Sequence, residues 1–174
     1  SDVCSSDLGQ EAQLAAELLG AAADHATPEA EQALPGQSHY YGGGDPARWQ
    51  AAVPHYGRVR YRGVYPGTDL VYYGQGQQLE YDFELAPGAD PSRLRLLYRG
   101  VQAAEATPEG DLLLRVDGHA LRLQAPVSYQ TVDGERRPVA SRYRSQVTDD
   151  GVEVAFELGT YDRGRALVID PVLA

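Results

Sequence analysis

The chain has 174 residues, of which 43% are hydrophobic, and its formal net charge is -10 at pH 7. This length suffices for one domain that buries on the order of 70% of its unfolded surface. The acidic balance disfavours binding to nucleic acid or to an anionic membrane, because such binding depends on clustered cations that release counterions. Every apolar run is far shorter than the roughly 20 residues of a transmembrane helix, so membrane insertion is not expected.

The first residues differ in character from the rest of the chain. The string SDVCSSDL is what a common sequencing-library adapter encodes when it is translated. We therefore interpret residues 1–8 as a disordered, adapter-derived scar, and we expect residues 9–174 to form a single β-rich domain that is truncated at both ends. Cys4 belongs to the scar, so the native segment has no cysteine for a disulfide, a thiolate or a metal site.

The next segments carry mixed signals. Residues 10–26 are rich in alanine, leucine and glutamate, a composition that favours a helix, although sheet pairing can override so weak a preference. One short helix is predicted over residues 45–50, where Asp45 can cap the first turn and Pro46 occupies the first helical position.

The most regular pattern begins at a Pro-Gly pair. Pro66 and Gly67 predict a type II turn, because proline sets the first central φ and glycine accepts the positive φ that follows. Residues 70–73 then form a short strand of bulky side chains. Over residues 79–85 apolar side chains alternate with acidic ones, which predicts a strand with one core-facing side and one solvated side.

The second half of the chain alternates short apolar runs with turn signals. An Asp-Gly pair between apolar runs is among the strongest short-range hairpin signals, and turns that recur about every 8 to 12 residues are typical of a sandwich or a barrel. The predicted fold is therefore all-β, an antiparallel β-sandwich-like domain. Pro138 predicts a bulge or a sheet edge, because proline cannot donate to a ladder. The predicted hairpins join residues 112–116 to 120–123, residues 127–132 to 139–143, and a third strand to the segment that opens at Gly151.

A dense apolar run over residues 166–169 predicts a final buried strand. It leads into Asp170 and Pro171, and a proline nitrogen has no hydrogen to donate. The strand should therefore pair within this domain as far as Ile169, after which the chain leaves the sheet.

Several of these segments occur in an order that resembles one known family. The chain resembles a domain of unknown function that precedes SBBP (β-propeller) repeats in bacterial cell-surface and secreted proteins, and the resemblance is best over residues 34–174. It implies an extracellular location, a β-propeller shortly after the final Asp-Pro-Val-Leu, no known catalytic residues, and a strand rather than a helix over residues 15–19. The matching segments are Asp45–Trp49, Val53–Tyr56, Val59–Tyr61, Val64–Gly74, Leu79–Ser92, Pro126–Gln130, Tyr161–Asp162 and Leu167–Leu173.

One strand face carries three carboxylates. Glu80, Asp82 and Glu84 have neighbouring side chains about 6.5 to 7 Å apart, a spacing within the range of glycosidase carboxylate pairs. The alternative is a solvated face whose charges pair across strands with Arg93 and Arg95. We favour the alternative, because active-site carboxylates need pockets and perturbed pKa values that a strand face rarely provides.

Other chemistry-bearing residues show no convergent spacing. The histidines do not have the spacing of a zinc site, and Ser38 and Ser128 lack a nucleophile elbow. Three aspartates near glycine-rich turns could ligate Ca²⁺, but turn capping is the commoner role for such residues. We predict no catalytic residue, no metal site and no cofactor. The histidines are His25, His39, His55 and His119, and the aspartates are Asp45, Asp69 and Asp90.

The chain contains 12 tyrosines and one tryptophan. Adjacent tyrosines such as Tyr72-Tyr73 place one ring on each side of a strand, and the outward ring could dock a protein or stack on a sugar. The other explanation is that tyrosine fits half-wet strand surfaces. The candidate binding residues are Trp49, Tyr41, Tyr65, Tyr72 and Tyr73.

These observations predict a non-catalytic structural or interaction module of a bacterial surface or secreted protein. Its expected partner is the downstream β-propeller of the same chain, with a surface glycan or another protein as a further possibility. The first alternative is a carbohydrate-binding module that uses exposed Tyr and Trp side chains, and the second is a glycoside hydrolase-type enzyme.

Overall fold

The computed structural model describes residues 16–22, 27–40, 50–75 and 78–171. No helix of seven or more residues occurs in these ranges, and every strand pairing in them is antiparallel, so the predicted all-β class is confirmed. The strands are β1 (Ala16–Leu18), β2 (Pro28–Tyr40), β3 (Gln50–Tyr65), β4 (Thr68–Gln75), β5 (Gln78–Leu85), β6 (Arg95–Arg99), β7 (Ala103–Ala106), β8 (Leu112–Val116), β9 (His119–Leu123), β10 (Val127–Val132), β11 (Glu135–Val139), β12 (Ser141–Thr148), β13 (Gly151–Leu158) and β14 (Leu167–Asp170), with a 3-10 turn at Pro91–Arg93.

The strands form three sheets. A seven-stranded sheet has the order β11-β10-β14-β5-β4-β3-β2, and a four-stranded sheet has the order β1-β6-β13-β12. The two share one core, in which the rings of Phe83 from β5 and Phe156 from β13 lie 6.1 Å apart. A third sheet, β7-β8-β9, contributes Leu112, Leu114 and Leu123 to the same core.

The period-2 pattern of β5 has the register that the sequence predicts. Tyr81, Phe83 and Leu85 are 5%, 0% and 2% exposed, and all three belong to the core cluster. Tyr81 and Phe83 also make an edge-to-face contact with a centroid distance of 5.8 Å. The inward side of β5 is therefore the apolar one, and its acidic side chains project from the opposite face.

The predicted turns are present where Pro-Gly and Asp-Gly pairs occur. Gly67 has φ 71°, and the two residues of this turn join β3 directly to β4. Asp117 and Asp133 adopt φ 46° and 53° and are followed by glycines that also have positive φ. Two consecutive positive φ values define the turn that matches the twist of a two-residue hairpin, so these pairs set the registers of β8-β9 and β10-β11.

The second hairpin differs from its prediction. The return strand begins at Glu135 rather than at Val139, because the two-residue turn lets pairing resume immediately. Pro138 lies in β11, which is the edge strand of the seven-stranded sheet, as expected for a residue without an N–H. After Ala140 the chain changes sheets, and β12 pairs with β13 in the four-stranded sheet, where the predicted return at Gly151 is confirmed.

The N-terminal strand is confirmed, although its surroundings were not foreseen. β1 pairs with β6 of the same chain, with Glu17 opposite Leu97. Tertiary pairing therefore overrides the helical composition of this segment. The helix predicted over residues 45–50 lies outside the described residues, except for Gln50, which begins β3.

The C-terminal strand occupies a central position. β14 pairs with β10 on one side and with β5 on the other, and Leu167 and Ile169 are 2% and 0% exposed. The prediction that this strand pairs within the domain is confirmed, but its pairing extends one residue beyond the predicted Ile169, because Asp170 pairs with Val127. Gln130 closes the loop that leads into β14: its amide nitrogen donates to Asp162 O at 2.8 Å and its amide oxygen accepts from Asp162 N at 2.9 Å.

Candidate functional site

Polar side chains converge on one face of the seven-stranded sheet. Since Phe83 points into the core, Asp82 and Glu84 project from the opposite side, which we call the outer face. The ladder registers bring side chains from six strands to this face. They are Glu29 and Glu31 of β2, Arg58, Arg60 and Arg62 of β3, Asp69, Val71 and Tyr73 of β4, Glu80, Asp82 and Glu84 of β5, Val168 and Asp170 of β14, and Val127 and Tyr129 of β10.

An ion-pair network centred on Arg60 occupies one half of the outer face. The guanidinium of Arg60 contacts Glu31 Oε1 at 2.7 Å, Glu84 Oε2 at 2.7 Å and Asp69 Oδ2 at 3.1 Å, with 13% of its side chain exposed. Arg58 adds a 3.0 Å contact with the second oxygen of Glu84. The hydrogen bonds that Arg60 donates to Glu84 and Glu31 raise the pKa of Arg60 above its ordinary value, so this cation is fixed as a structural charge.

This network corrects the predicted pairing of the β5 carboxylates. Glu84 bonds to arginines of β3, whereas Arg95 lies on the other sheet and contacts Glu153 at 3.3 Å. Arg93 reaches Asp90 at 4.0 Å. The prediction failed because Arg93 belongs to a 3-10 turn and Arg95 opens β6, and neither segment neighbours β5 in its sheet.

The other half of the outer face is acidic and partly dry. Asp82 is 8% exposed, and its Oδ1 accepts a 3.0 Å hydrogen bond from the Tyr73 hydroxyl. Burial raises the pKa of Asp82, although the bond from Tyr73 opposes the shift. Burial and the nearby Asp82 carboxylate raise the pKa of Tyr73 as well. The outer face at this point is therefore not the solvated surface that the alternation predicts.

Asp170 extends this acidic half. β14 aligns Ile169 with Phe83, and continuing that register by one residue places Asp170 opposite Asp82. Burial raises the pKa of Asp170 to about 6, and the carboxylates of Asp82 and Glu80 contribute to the shift. Two carboxyl groups on neighbouring strands repel each other when both are charged, so each of them keeps a proton to a higher pH than an ordinary aspartate does.

The carboxyl groups of this arrangement can hold negative charge and can bind a proton. Carboxyl groups with raised pKa values are what general acid catalysis requires. However, the described residues show Glu84 held by Arg58 and Arg60, and Asp82 held by Tyr73. A hydrolase pair would need an acid and a base that are both free to reach a substrate.

The candidate binding tyrosines do not form one exposed patch. Tyr65 is 3% exposed, and its hydroxyl donates to Leu19 O at 3.0 Å. Tyr72 is 8% exposed and packs edge-on against Tyr61 at 5.9 Å on the core side of β4. Tyr65 and Tyr72 could bind a partner only if their rings were exposed, and the second sheet buries both of them. Tyr73 lies half-buried on the outer face, and Trp49 and Tyr41 lie outside the described residues.

The remaining candidates have local structural roles. Asp69 Oδ1 accepts from Gly63 N at 2.9 Å, and Asp90 caps the 3-10 turn by accepting from Ser92 N at 3.0 Å. Ser128 is buried on the core side of β10. His55 Nε2 lies 2.6 Å from Ser38 Oγ. In the part of the chain that the structure describes, no group of three or more His, Cys, Asp or Glu side chains could hold a metal ion.

Sequence reasoning overlooked Asp170 and the three arginines of β3. Arg58, Arg60 and Arg62 alternate with other residues at period 2, a signal that predicts a charged strand face. Asp170 had no such signal, because its proximity to Asp82 depends on a pairing between strands far apart in the chain.

No helix among the described residues is long and apolar enough to cross a membrane.

Comparison with known proteins gives a family without an assigned activity. No curated protein and no solved structure matches the chain. A family model described as a domain of unknown function (DUF7948) matches residues 5–172. That match spans nearly the whole sequence, and the chain therefore belongs to the DUF7948 family.

Proposed function

We propose that this domain is a non-catalytic structural and interaction module of a bacterial surface or secreted protein, and that it serves as a rigid base for a β-propeller that follows it. The observation that supports the proposal is the central position of β14, which pairs with β10 on one side and with β5 on the other. Pro171, the next residue, is also buried. Whatever follows β14 is thus joined to the most constrained part of the sheet.

A strand that is paired on both sides leaves its sheet less readily than an edge strand does. An edge strand can separate after one ladder opens, whereas a central strand must break two ladders and expose its buried side chains. Leu167 and Ile169 would both become exposed if β14 left the sheet. The orientation of a module attached through β14 is therefore fixed relative to the sheet, as a base for a larger assembly requires.

The propeller and the extracellular location come from the resemblance to domains that precede SBBP repeats. The non-catalytic role is supported by the outer face, where Asp82 and Glu84 are engaged by neighbouring side chains. The carbohydrate-binding alternative loses two of its five candidate residues, because Tyr65 and Tyr72 are buried. For the hydrolase alternative, turnover of chromogenic glycosides that Glu80→Gln abolishes would overturn the non-catalytic role.

The proposal is tested by comparing this chain with the same chain extended through the repeats that follow it. We expect backbone amides of residues 172–174 to exchange more slowly in the extended protein, because packing of the following module excludes water from the junction. We also expect the two parts to unfold in one transition. Equal exchange in both proteins, together with two independent transitions, would mean that the parts are merely tethered.

A further inference from the structure

The hairpin of β2 and β3 extends beyond the sheet that contains it. Pairing between β3 and β4 ends where Arg58 meets Tyr73, yet β3 begins at Gln50. Among the residues that the structure describes, residues 33–40 and 50–57 pair with each other and with no other strand, and we call this two-stranded ribbon the arm. At a rise of about 3.3 Å per residue, the arm projects roughly 25 Å from the last residue that pairs with β4.

The arm has an unusual composition for an exposed segment. Charged residues make up 23% of the chain, but neither segment of the arm contains Asp, Glu, Lys or Arg. Tyr56 is 43% exposed and Leu34 is 49% exposed. They lie on opposite faces of the ribbon, because Ala33 pairs with Tyr56 whereas Leu34 pairs with His55. Depletion of charge with retention of aromatic side chains is the compositional signature of an interface core.

An uncovered ribbon of this kind gains little stability by itself. A two-stranded hairpin in water is marginal, because neither face is buried and both edges are open. The Ser38–His55 contact at 2.6 Å adds one cross-strand link within it. The apolar and uncharged surface of the arm therefore needs a partner that covers it.

The backbone of the arm disfavours a second copy of this chain that adds a strand to its edge. Pro35 lacks a donor, Gly36 has φ 116°, and the register between Leu34 and Gln37 is shifted. Prolines and bulges are devices that protect edges from strand addition. Nucleic acid is disfavoured as well, because residues 33–40 and 50–57 contain no Lys or Arg to meet a phosphate. The surface suits side-chain packing against a folded protein.

The direction of the strands indicates which folded protein lies next to the arm. β14 is antiparallel to β5, β5 to β4, and β4 to β3, so β14 runs toward the end of the sheet from which the arm projects. At about 4.8 Å per strand spacing, β14 lies roughly 15 Å from β3. A folded module of about 100 residues has a radius of gyration of about 13 Å. A module that begins after Pro171 therefore emerges beside the arm and is wide enough to contact it.

We propose that the arm is the docking surface for the folded module that follows β14 in the same polypeptide, with Leu34 and Tyr56 as its apolar contacts. This inference rests on the proposed function and adds to it the surface that is used. The module's matching face must be apolar and poor in charge, because an unpaired charge buried against the arm would have no counter-ion there.

The test measures hydrogen exchange of the arm in the chain alone and in the chain extended through the following repeats. We expect amides of residues 33–38 and 52–57 to exchange at least about tenfold more slowly in the extended protein. Leu34→Arg and Tyr56→Glu, which charge opposite faces of the ribbon, should each remove most of this slowing. The matched control is Val147→Glu, since Val147 is 58% exposed on β12 of the other sheet, and it should leave the slowing intact.

The outcomes separate this inference from the proposed function. If residues 172–174 are protected in the extended protein but the arm is not, the base role stands and the docking role of the arm is overturned. If neither segment is protected, both are overturned. If the chain alone sediments as a dimer that Tyr56→Glu dissociates, the occupant is a second copy and the inference is wrong. Because arm protection is first compared between unmutated proteins, the result does not depend on the folding of any variant.

Discussion

The Tyr73 hydroxyl donates a 3.0 Å hydrogen bond to Asp82 Oδ1 across the β4-β5 hairpin. The bond matters because Asp82 is almost fully buried on a face that alternation alone would leave in water. The acidic half of the outer face is therefore a structural element whose energetics can be measured.

Removing that hydroxyl should destabilise the domain. In Tyr73→Phe the buried Asp82 carboxylate loses its donor, and we expect a loss of about 1–3 kcal/mol in the free energy of unfolding. Urea denaturation at pH 7 measures it. The control is Tyr161→Phe, because the Tyr161 hydroxyl is buried without a hydrogen-bond partner among the described residues, so its removal should be neutral or mildly stabilising. Equal effects of the two changes would contradict the assigned role.

The core register of β5 predicts a large effect at Phe83. This ring is 0% exposed and contacts Phe156 of the opposite sheet, so Phe83→Ala should cost about 3–5 kcal/mol by leaving a cavity between the sheets. Truncation of the exposed Val147 to alanine serves as control and should stay within about 0.5 kcal/mol. If thermal melts show that Phe83→Ala does not change the stability, the register assigned to β5 is wrong by one residue.

The raised pKa of Asp170 makes one part of the stability depend on pH. Its pKa rises from 3.8 to about 6 on folding, so the native state binds more protons than the unfolded state between these values. The favourable contribution is complete below about pH 4 and is lost as the pH rises through about 6.

A neutral variant isolates this contribution from the other carboxylates. The side chain that Asp170→Asn introduces stays neutral, so this variant does not lose stability as Asp170 ionises in the unmodified protein. The free energy of unfolding of the variant minus that of the unmodified protein should therefore increase by about 1–2 kcal/mol between pH 4.5 and pH 7.5, a range that allows for the partial exposure of Asp170. Denaturant titrations across this range measure the difference. Asp133→Asn, at an exposed turn position, is the control, and a difference at Asp170 that stays flat with pH would refute the carboxyl pairing.

The ion-pair network should respond unequally to the loss of its arginines. Arg60→Met leaves Glu31, Asp69 and Glu84 without their shared cation, and we expect a cost of about 2–4 kcal/mol. Arg62 also pairs with Glu29, but its side chain is 59% exposed, so Arg62→Met should cost less than about 1 kcal/mol. Chemical denaturation of both variants at low and high salt tests the contrast, which disappears if Arg60 is an ordinary surface residue.

Gln130 should control the loop before β14. Its side-chain amide contacts the backbone of Asp162, Arg165 and Ala166, so Gln130→Ala leaves several loop groups without a partner. We expect amides of residues 159–166 to exchange about tenfold faster, with a loss of about 1–3 kcal/mol in stability. Gln124→Ala, at an exposed position after β9, should change neither measurement.

Local chemistry in the sequence was sufficient to predict the fold class, most turns and the core side of β5. Gly67, and the Asp-Gly pairs at Asp117 and Asp133, determine backbone conformations that neighbouring residues cannot change, and alternation about Phe83 assigns the apolar side without reference to any partner. These features depend on residues within a few positions of one another.

Tertiary structure decided which strands meet, and with that the content of the candidate site. Asp170 approaches Asp82 and Arg60 reaches Glu84 only because β14 and β3 flank the β4-β5 hairpin, an order that no local pattern encodes. The same strand order buried Tyr65 and Tyr72, which sequence reasoning had offered as binding residues, by setting a second sheet against them. A strand's alternation separates its two faces, but the chain that covers each face is determined by contacts between distant segments.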